Sequence, residues 1–416
     1  MRKMKDSGVA WIGEMPEDWT VKRGKFTLKL LNRPVKETDD VITCFRDGEV
    51  TLRTNRRTDG FTVSVKEIGY QGIEPGDLVI HGMDGFAGSI GISDSRGKSS
   101  PVLVVCDTDE NIRYIMYYLR SMAYNDVFTA LATGIRVRSC DLRWNKLAEL
   151  PYILPSLEEQ NQIVLAIESS TSKVDALISN VQAQIEKLKA YKQSLITEVV
   201  TKGLDPNVPM KDSGVEWIGE IPKCWNMVRG KALFEECDAR SDDGSEELLT
   251  VSQYTGVTPR SQKSVNMFES TTLEGYKICE VGDIAANTMW LWAGAIGVSE
   301  YRGVISPSYN VYRQKEIKYI SSYLDCLLRI PLLVQEYASR STGIRASRLR
   351  LYPKDFMDIM FPVPPIEEQK TIMDILGKKI DMVNQMISIK QSKIEKLELY
   401  KRSLIYEYVT GKKEVS

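Results

Sequence analysis

The sequence predicts a mixed α/β fold. It has two similar globular domains separated by two long antiparallel coiled-coil helices, an internal repeat about a pseudo-two-fold axis. Three observations predict it. First, Met4 to Lys25 (MKDSGVAWIGEMPEDWTVKRGK) returns as Met210 to Lys231 (MKDSGVEWIGEIPKCWNMVRGK), identical at fifteen of 22 positions with an offset of 206. Second, Ile185 to Thr201 matches Ile394 to Thr410 at twelve of 17 positions. Third, the segments between these echoes read as short strands, while those at the ends of each half read as one unbroken helix. A period of roughly two hundred residues is too long for a solenoid unit and suits a domain plus a connector.

Each half follows the same order. A lead segment (1–25, then 210–231) carries Trp11, Trp19, Trp217 and Trp225 around an Ile-Gly-Glu-x-Pro turn. Gly and Pro punctuate such a segment rather than support a helix, and the tryptophans are expected to pack it against the body. The first body (26–150) carries strand signals at Thr62 to Val65, Asp77 to Ile80, Ser89 to Ser93 and Val102 to Cys106. These runs are rich in β-branched residues and bounded by Gly, Pro and Asp. Asp107 to Leu131 then reads as helix. Asp107, Asp109 and Glu110 are placed to cap its free amides and favour its dipole, and Ile112, Ile115, Met116 and Leu119 recur at helical spacing.

The second body (232–360) keeps the frame. Glu280-Val-Gly-Asp-Ile284 answers Glu74-Pro-Gly-Asp-Leu78, and Gly294 to Ser299 answers Gly88 to Ser93. Between these anchors the bodies diverge. His81 to Ala87 reads HGMDGFA, where Asn287 to Ala293 reads NTMWLWA. A shared scaffold with differing inserts is what two specificities on one fold require.

The long helices follow. Pro151 to Pro155 is extended and Leu157 to Val200 is helical, within a connecting stretch of 151–209. Val174, Ile178, Val181, Ile185, Leu188, Leu195 and Val199 trace a coiled-coil seam. The C-terminal stretch, 361–416, holds the partner helix, Ile366 to Val409. Its seam is Val383, Ile387, Ile394, Leu397, Leu404 and Tyr408, and Lys390 breaks the stripe where the first helix has Val181. A helix of about 44 residues is ~66 Å long and cannot bury such a stripe alone, so the two are expected to pair. Gly203, Pro206 and Pro209 stop the first helix.

Composition narrows the function. With Lys and Arg at 55 and Asp and Glu at 56, the net charge is −1. No run approaches the ~20 apolar residues of a membrane helix, and the first residues lack a signal-peptide core. Seven scattered cysteines without a C-x-x-C indicate neither a disulfide framework nor a zinc site, so a reduced, cytoplasmic location is expected. His81 is the single histidine, which removes most His-based catalysis. Gly91 to Ser99 resembles a phosphate loop, but five residues separate Gly91 from Gly97 where four are needed. No G-x-G-x-x-G and no Asn/Asp-Pro-Pro-aromatic run is present. No metal ligands, cofactor or catalytic residue of its own is therefore expected.

Local charge points to nucleic acid. Arg53, Arg56 and Arg57 form one cluster, Arg136, Arg138 and Arg143 a second, and Arg340, Arg345, Arg348 and Arg350 a third. The last two follow or bracket a repeated Thr-Gly-Ile-Arg, at Thr133 to Arg136 and Thr342 to Arg345. Arginines and lysines set register on phosphates and can read guanine edges; asparagine can read adenine. His81 and its counterpart Asn287 join these arginines as candidate DNA contacts.

Several signatures are specific only in combination. They are the doubled KDSGV-x-WIGE-x-P-x-x-W lead, the doubled Thr-Gly-Ile-Arg, the Pro-x-(Leu/Ile)-Glu-Glu-Gln helix start, and the doubled Ile-Glu-Lys-Leu-x-x-Tyr-Lys-x-Ser-Leu-Ile-x-Glu helix end. In these the chain resembles, over essentially its whole length, the specificity subunits of type I restriction–modification systems. Asn287 to Gly294 looks like a variant of that family's second-body pattern, and the first body departs there at His81, Asp84 and Phe86.

The resemblance implies two target-recognition domains, each reading one half of a split, asymmetric site in double-stranded DNA. The helices hold the domains apart and set the gap. It also implies two methyltransferase subunits as partners, which supply S-adenosylmethionine and the catalysis, and leaves room for ATP- and Mg-dependent translocating nuclease subunits to join. The alternative is a non-catalytic assembly scaffold with little DNA specificity of its own.

Overall fold

Glycines and prolines cut each body into strands of two to five residues, and the four central ones pair in one antiparallel sheet. The computed structural model describes residues 2–56, 67–130, 142–263, 272–343 and 349–415. The strand expected at Thr62 to Val65 lies outside them. In the first body the sheet order is Lys29–Leu30, Leu103–Asp107, Leu78–His81, Ile90–Ile92. In the second it is Phe234–Cys237, Asn310–Gln314, Ile284–Ala286, Ile296–Val298. The register places Leu103 opposite His81 and Cys106 opposite Leu78 in the one, and Asn310 opposite Ala286 in the other. Each body adds a hairpin, Ile42–Cys44 with Val50–Leu52 or Leu249–Ser252 with Gly256–Pro259.

The chain divides into two units, residues 1–182 with 391–416, and residues 183–390. The first unit packs the sheet and the helix Ile112–Tyr124 around Leu78, Ile80, Tyr114, Tyr118 and Leu119. The lead segment joins this core through the buried Trp19, and the long helices through Ile163, Ile167, Val174, Leu404 and Tyr408. The second unit builds the same core from Ile284, Tyr312, Tyr323 and Leu324, with Trp225 from its lead segment and Val199, Ile372 and Leu376 from the helices.

The first long helix runs Leu157–Lys202 and the second Ile366–Val409. Within the first unit Asp175 receives Lys401 Nζ at 2.7 Å. Within the second unit Lys192 donates to Asn384 at 2.9 Å and Lys390 donates to Gln184, so the two segments there run antiparallel. Lys390, which breaks the apolar stripe, thus turns its ammonium to a polar partner on the other helix. Val174, Val181, Ile185, Leu195, Val199, Val383, Ile394 and Leu404 are buried as the seam requires.

The Glu-Glu-Gln helix start is a brace. Trp19 Nε1 donates to Glu159 at 3.0 Å, and Trp225 Nε1 to Glu368 at 2.9 Å. Gln160, fully buried, accepts the Asn111 amide at 2.8 Å and donates to the Pro155 carbonyl at 3.0 Å. Gln369 does the same with Ile320 and Pro364. Tyr114 and Tyr323 close the other helix end, donating to the carbonyls of Val409 and Val200.

One helix differs from expectation. Asp107 ends a strand, and the helix begins at Ile112 with Asn111 as its cap, accepting from the amides of Arg113 and Tyr114. Asp109 and Glu110 instead meet Lys29 and Lys22. The helix stops at Tyr124, because Asp126 takes a left-handed φ of 56°, and resumes only over Val127–Ala130.

Candidate nucleic-acid interface

The inserts that diverge in sequence occupy one turn, at the end of a central strand in each body. In the first, His81 ends the strand Leu78–His81, and a short 3-10 helix, Gly85–Ala87, follows. In the second, Asn287 follows the strand Ile284–Ala286, and the 3-10 helix is Leu291–Ala293. Gly88 and Gly294 end these helices with φ of 93° and 87°, a conformation that glycine adopts without a Cβ penalty.

His81 and Asn287 do the same work. His81 Nδ1 accepts the amides of Met83 and Asp84 at 3.3 and 3.0 Å. Asn287 Oδ1 accepts the Met289 amide at 3.2 Å, and its Nδ2 donates to the Tyr309 hydroxyl at 2.8 Å. A ring nitrogen that accepts cannot carry a proton, so the His81 proton sits on Nε2. Burial lowers the His81 pKa, partly opposed by Asp84. Both side chains thus shape the turn through their acceptors, and what the turn presents outward is different. The first body exposes Met83 and holds Asp84 to Arg46 at 2.9 Å. The second exposes Met289 and Trp290.

The chain after residues 131–141 meets this turn at Leu142. Leu142 donates its amide to Gly82 O at 2.9 Å. A Cβ on Gly85 would lie 2.5 Å from Leu142 Cδ1, so a larger residue there would push the Leu142 side chain aside. In the second body the helix Pro331–Arg340 packs on the turn, with Val334 3.0 Å from the place of a Cβ on Gly294. That helix leads to Thr342, whose amide and carbonyl both pair with Arg350 at 3.0 Å. The ends of the second Thr-Gly-Ile-Arg loop are thereby drawn together.

The arginines divide accordingly. Arg57, Arg136, Arg138, Arg345 and Arg348 lie outside the described residues. Arg53 starts the turn after the hairpin strand Val50–Leu52 and donates to Thr43 at 3.3 Å. Arg56 pairs with Asp47 at 2.7 Å and Glu49 at 2.8 Å and lies over the Phe45 ring. Arg143 stands at the position before the short helix Trp144–Leu147, without a side-chain bond to its first amides. Arg340 pairs with Glu336 at 2.6 Å, and the Arg350 backbone closes its loop.

Two arginines outside the sequence clusters hold equivalent places. Arg120 Nη2 donates to the Asp47 carbonyl at 2.6 Å, and Arg329 Nη2 to the Tyr254 carbonyl at 2.7 Å. Each clamps the hairpin of its own body from the helix beside it. Their recurrence at an offset of 209, that of the Thr-Gly-Ile-Arg repeat, was the signal in the sequence.

Among the described residues no group of three or more His, Cys, Asp or Glu side chains is placed to hold a metal ion, and no helix is long and apolar enough to cross a membrane. Burial pushes the thiols of Cys44, Cys106 and Cys279 up to about 12, so at neutral pH they are protonated and poor nucleophiles.

No family model matches the chain. It is 23% identical over 439 residues to a putative type I restriction enzyme MjaX specificity subunit of Methanocaldococcus jannaschii, spanning 96% of this chain and 95% of that one. It is 24% identical over 415 residues to the type I restriction enzyme MjaVIII specificity subunit of the same organism, spanning 96% and 93%. Its fold is similar to a chain solved in a study of complex assembly and conformational transition of the type I R-M system. The TM-score is 0.64 at 15% identity, over 95% of this chain and 99% of that one.

Proposed function

We propose that this chain, like the type I restriction enzyme specificity subunits it is similar to, reads a bipartite, asymmetric site in double-stranded DNA, one half-site per body. It has no catalytic step of its own. Two methyltransferase subunits dock on it and bring S-adenosylmethionine; ATP- and Mg-dependent restriction subunits are further partners. The long helices set the spacer between the half-sites. The Thr-Gly-Ile-Arg loops, with Arg136, Arg138, Arg345 and Arg348, and the neighbouring turns at 81–87 and 287–293 face the duplex. The single observation behind this reading is the turn itself: one frame, built twice, with an unlike side chain outward at one place (Asp84 beside Arg46; Trp290 stacked on Trp292).

The charge pattern supports a division of labour. Arg56 and Arg340, from two of the three clusters, are paired with carboxylates of their own body. Such arginines attract phosphates weakly, so the isolated chain is expected to bind DNA poorly and the assembled complex well. Affinity of the complex should fall steeply with salt, as counterion release demands. Gel shifts across a salt series, with and without the methyltransferase subunits, test this. Tight binding by the isolated chain contradicts it. The same pairing favours, as a second reading, an assembly scaffold with little specificity of its own; exchanging residues 26–150 with a relative would then leave the methylated sequence unchanged.

A further inference from the structure

We propose that Trp290 is a specificity-determining residue of the second body, reading an A·T pair by apolar contact with the thymine 5-methyl group. This rests on the DNA-reading role proposed above and names its chemistry at one turn.

The polar side chains of the turn are spent inward. Asn287 holds Tyr309 through its amide nitrogen and the Met289 amide through its oxygen. Thr288 donates to the Ser308 carbonyl at 2.6 Å, and Trp292 Nε1 donates to the Met289 carbonyl at 2.9 Å. No side chain of the turn is left to make the paired hydrogen bonds by which arginine reads guanine or asparagine reads adenine. What points outward is Met289, 40% exposed, and Trp290, 51% exposed. Trp290 is stacked on Trp292, ring centroids 5.7 Å apart and planes 25° from parallel. Because Trp292 is itself tied to the turn's backbone, Trp290 is held before any ligand arrives, and little side-chain entropy is lost on contact.

A large apolar surface fixed on a turn that the helix Pro331–Arg340 packs against suits an apolar feature of DNA. In the major groove, the thymine methyl is the one apolar group that distinguishes a base-pair edge. The first body has no equivalent: Asp84 stands where Trp290 does and is held by Arg46. The two half-sites should therefore differ in their dependence on thymine methyl groups.

The test uses the full chain assembled with its methyltransferase subunits and duplexes carrying the methylated site. Thymines are replaced by uracil in one half-site at a time, which removes only the methyl group. The half-site of the second body is the one altered by exchanging residues 232–360. Expected is a loss of affinity of roughly four-fold, the weight of one buried methyl, for uracil in that half-site. Trp290→Ala should weaken binding to the thymine duplex roughly ten-fold, within the range of aromatic contacts to bases. It should also abolish the thymine–uracil difference, while Trp290→Phe retains part of it.

The uracil comparison is made with the unaltered chain, so it decides even if Trp290→Ala folds poorly. Equal affinity for thymine and uracil in that half-site overturns the proposal and leaves DNA reading intact, as does a Trp290→Ala complex that still distinguishes them. A wild-type complex that cannot tell its site from a scrambled duplex overturns the underlying reading as well.

Discussion

At one turn the first body holds Asp84 to Arg46, and the second stacks Trp290 on Trp292. A few residues earlier, at the Gly-Asp of the strand start, the bodies agree. Asp77 and Asp283 are both buried and both accept a backbone amide, that of Glu74 at 2.8 Å and of Glu280 at 2.9 Å. Each also meets a guanidinium, but Arg33, past the end of the strand Lys29–Leu30, supplies it in the first body and Arg313, within the strand Asn310–Gln314, in the second. The comparison teaches which positions the frame dictates. Groups that satisfy buried backbone recur with little change. Their charge partners can be moved to another segment, and an outward side chain can be exchanged, as Asp84 is for Trp290.

The sharpest way to break that comparison is to remove the frame. Gln160→Ala and Gln369→Ala each orphan a half-buried amide at the start of a body helix and the Pro155 or Pro364 carbonyl behind it. Each should cost about 3 kcal/mol of stability, since unsatisfied buried groups cost about 1–3 kcal/mol apiece. Denaturant unfolding should give the same loss for both. A large effect in one body and none in the other would refute their equivalence.

A smaller effect separates the two braces. Glu368→Ala should cost about 1–2 kcal/mol through the Trp225 indole. Glu159→Ala should cost more by up to about 1 kcal/mol, because Glu159 also pairs with Arg2, itself bonded to Asp18. Equal losses would show that the Arg2 pair contributes nothing.

The smallest effect sharpens the turn. His81 has a pKa lowered by burial, so its stabilising contribution is present above its unfolded pKa and is lost as pH falls through the lower folded value. Protonation also removes the Nδ1 acceptor. His81→Asn installs the group that the second body uses. It should leave stability within about 0.5 kcal/mol at neutral pH and remove that part of the acid dependence. Thermal melts of both proteins from pH 7 to 5 check it. An unchanged acid dependence would mean that His81 does not carry it.

Much of the fold was legible because the chain states it twice. The lead segments, the seam of the long helices and their first turns follow from apolar spacing and Gly or Pro stops, which are local. What depends on distant partners was not legible. Three acids before Ile112 suggested an early helix start, yet strand pairing of Asp107 with Lys29 claims that stretch and Asn111 caps the helix. His81 opposite Asn287 read as two unlike DNA candidates. The shared role, accepting backbone amides within the turn, shows only in three dimensions. Arg120 and Arg329 escaped notice because each stands alone among apolar neighbours, and charge was sought in clusters.

The central claim is that each body reads its own half-site. The most direct measurement is the genome-wide map of methylated adenines after residues 232–360 are replaced by a second copy of residues 26–150, with the cognate methyltransferase subunits present. The expected map shows the first half-site twice, inverted about the spacer, with the second half-site gone. Continued methylation of the original asymmetric sequence would contradict the claim.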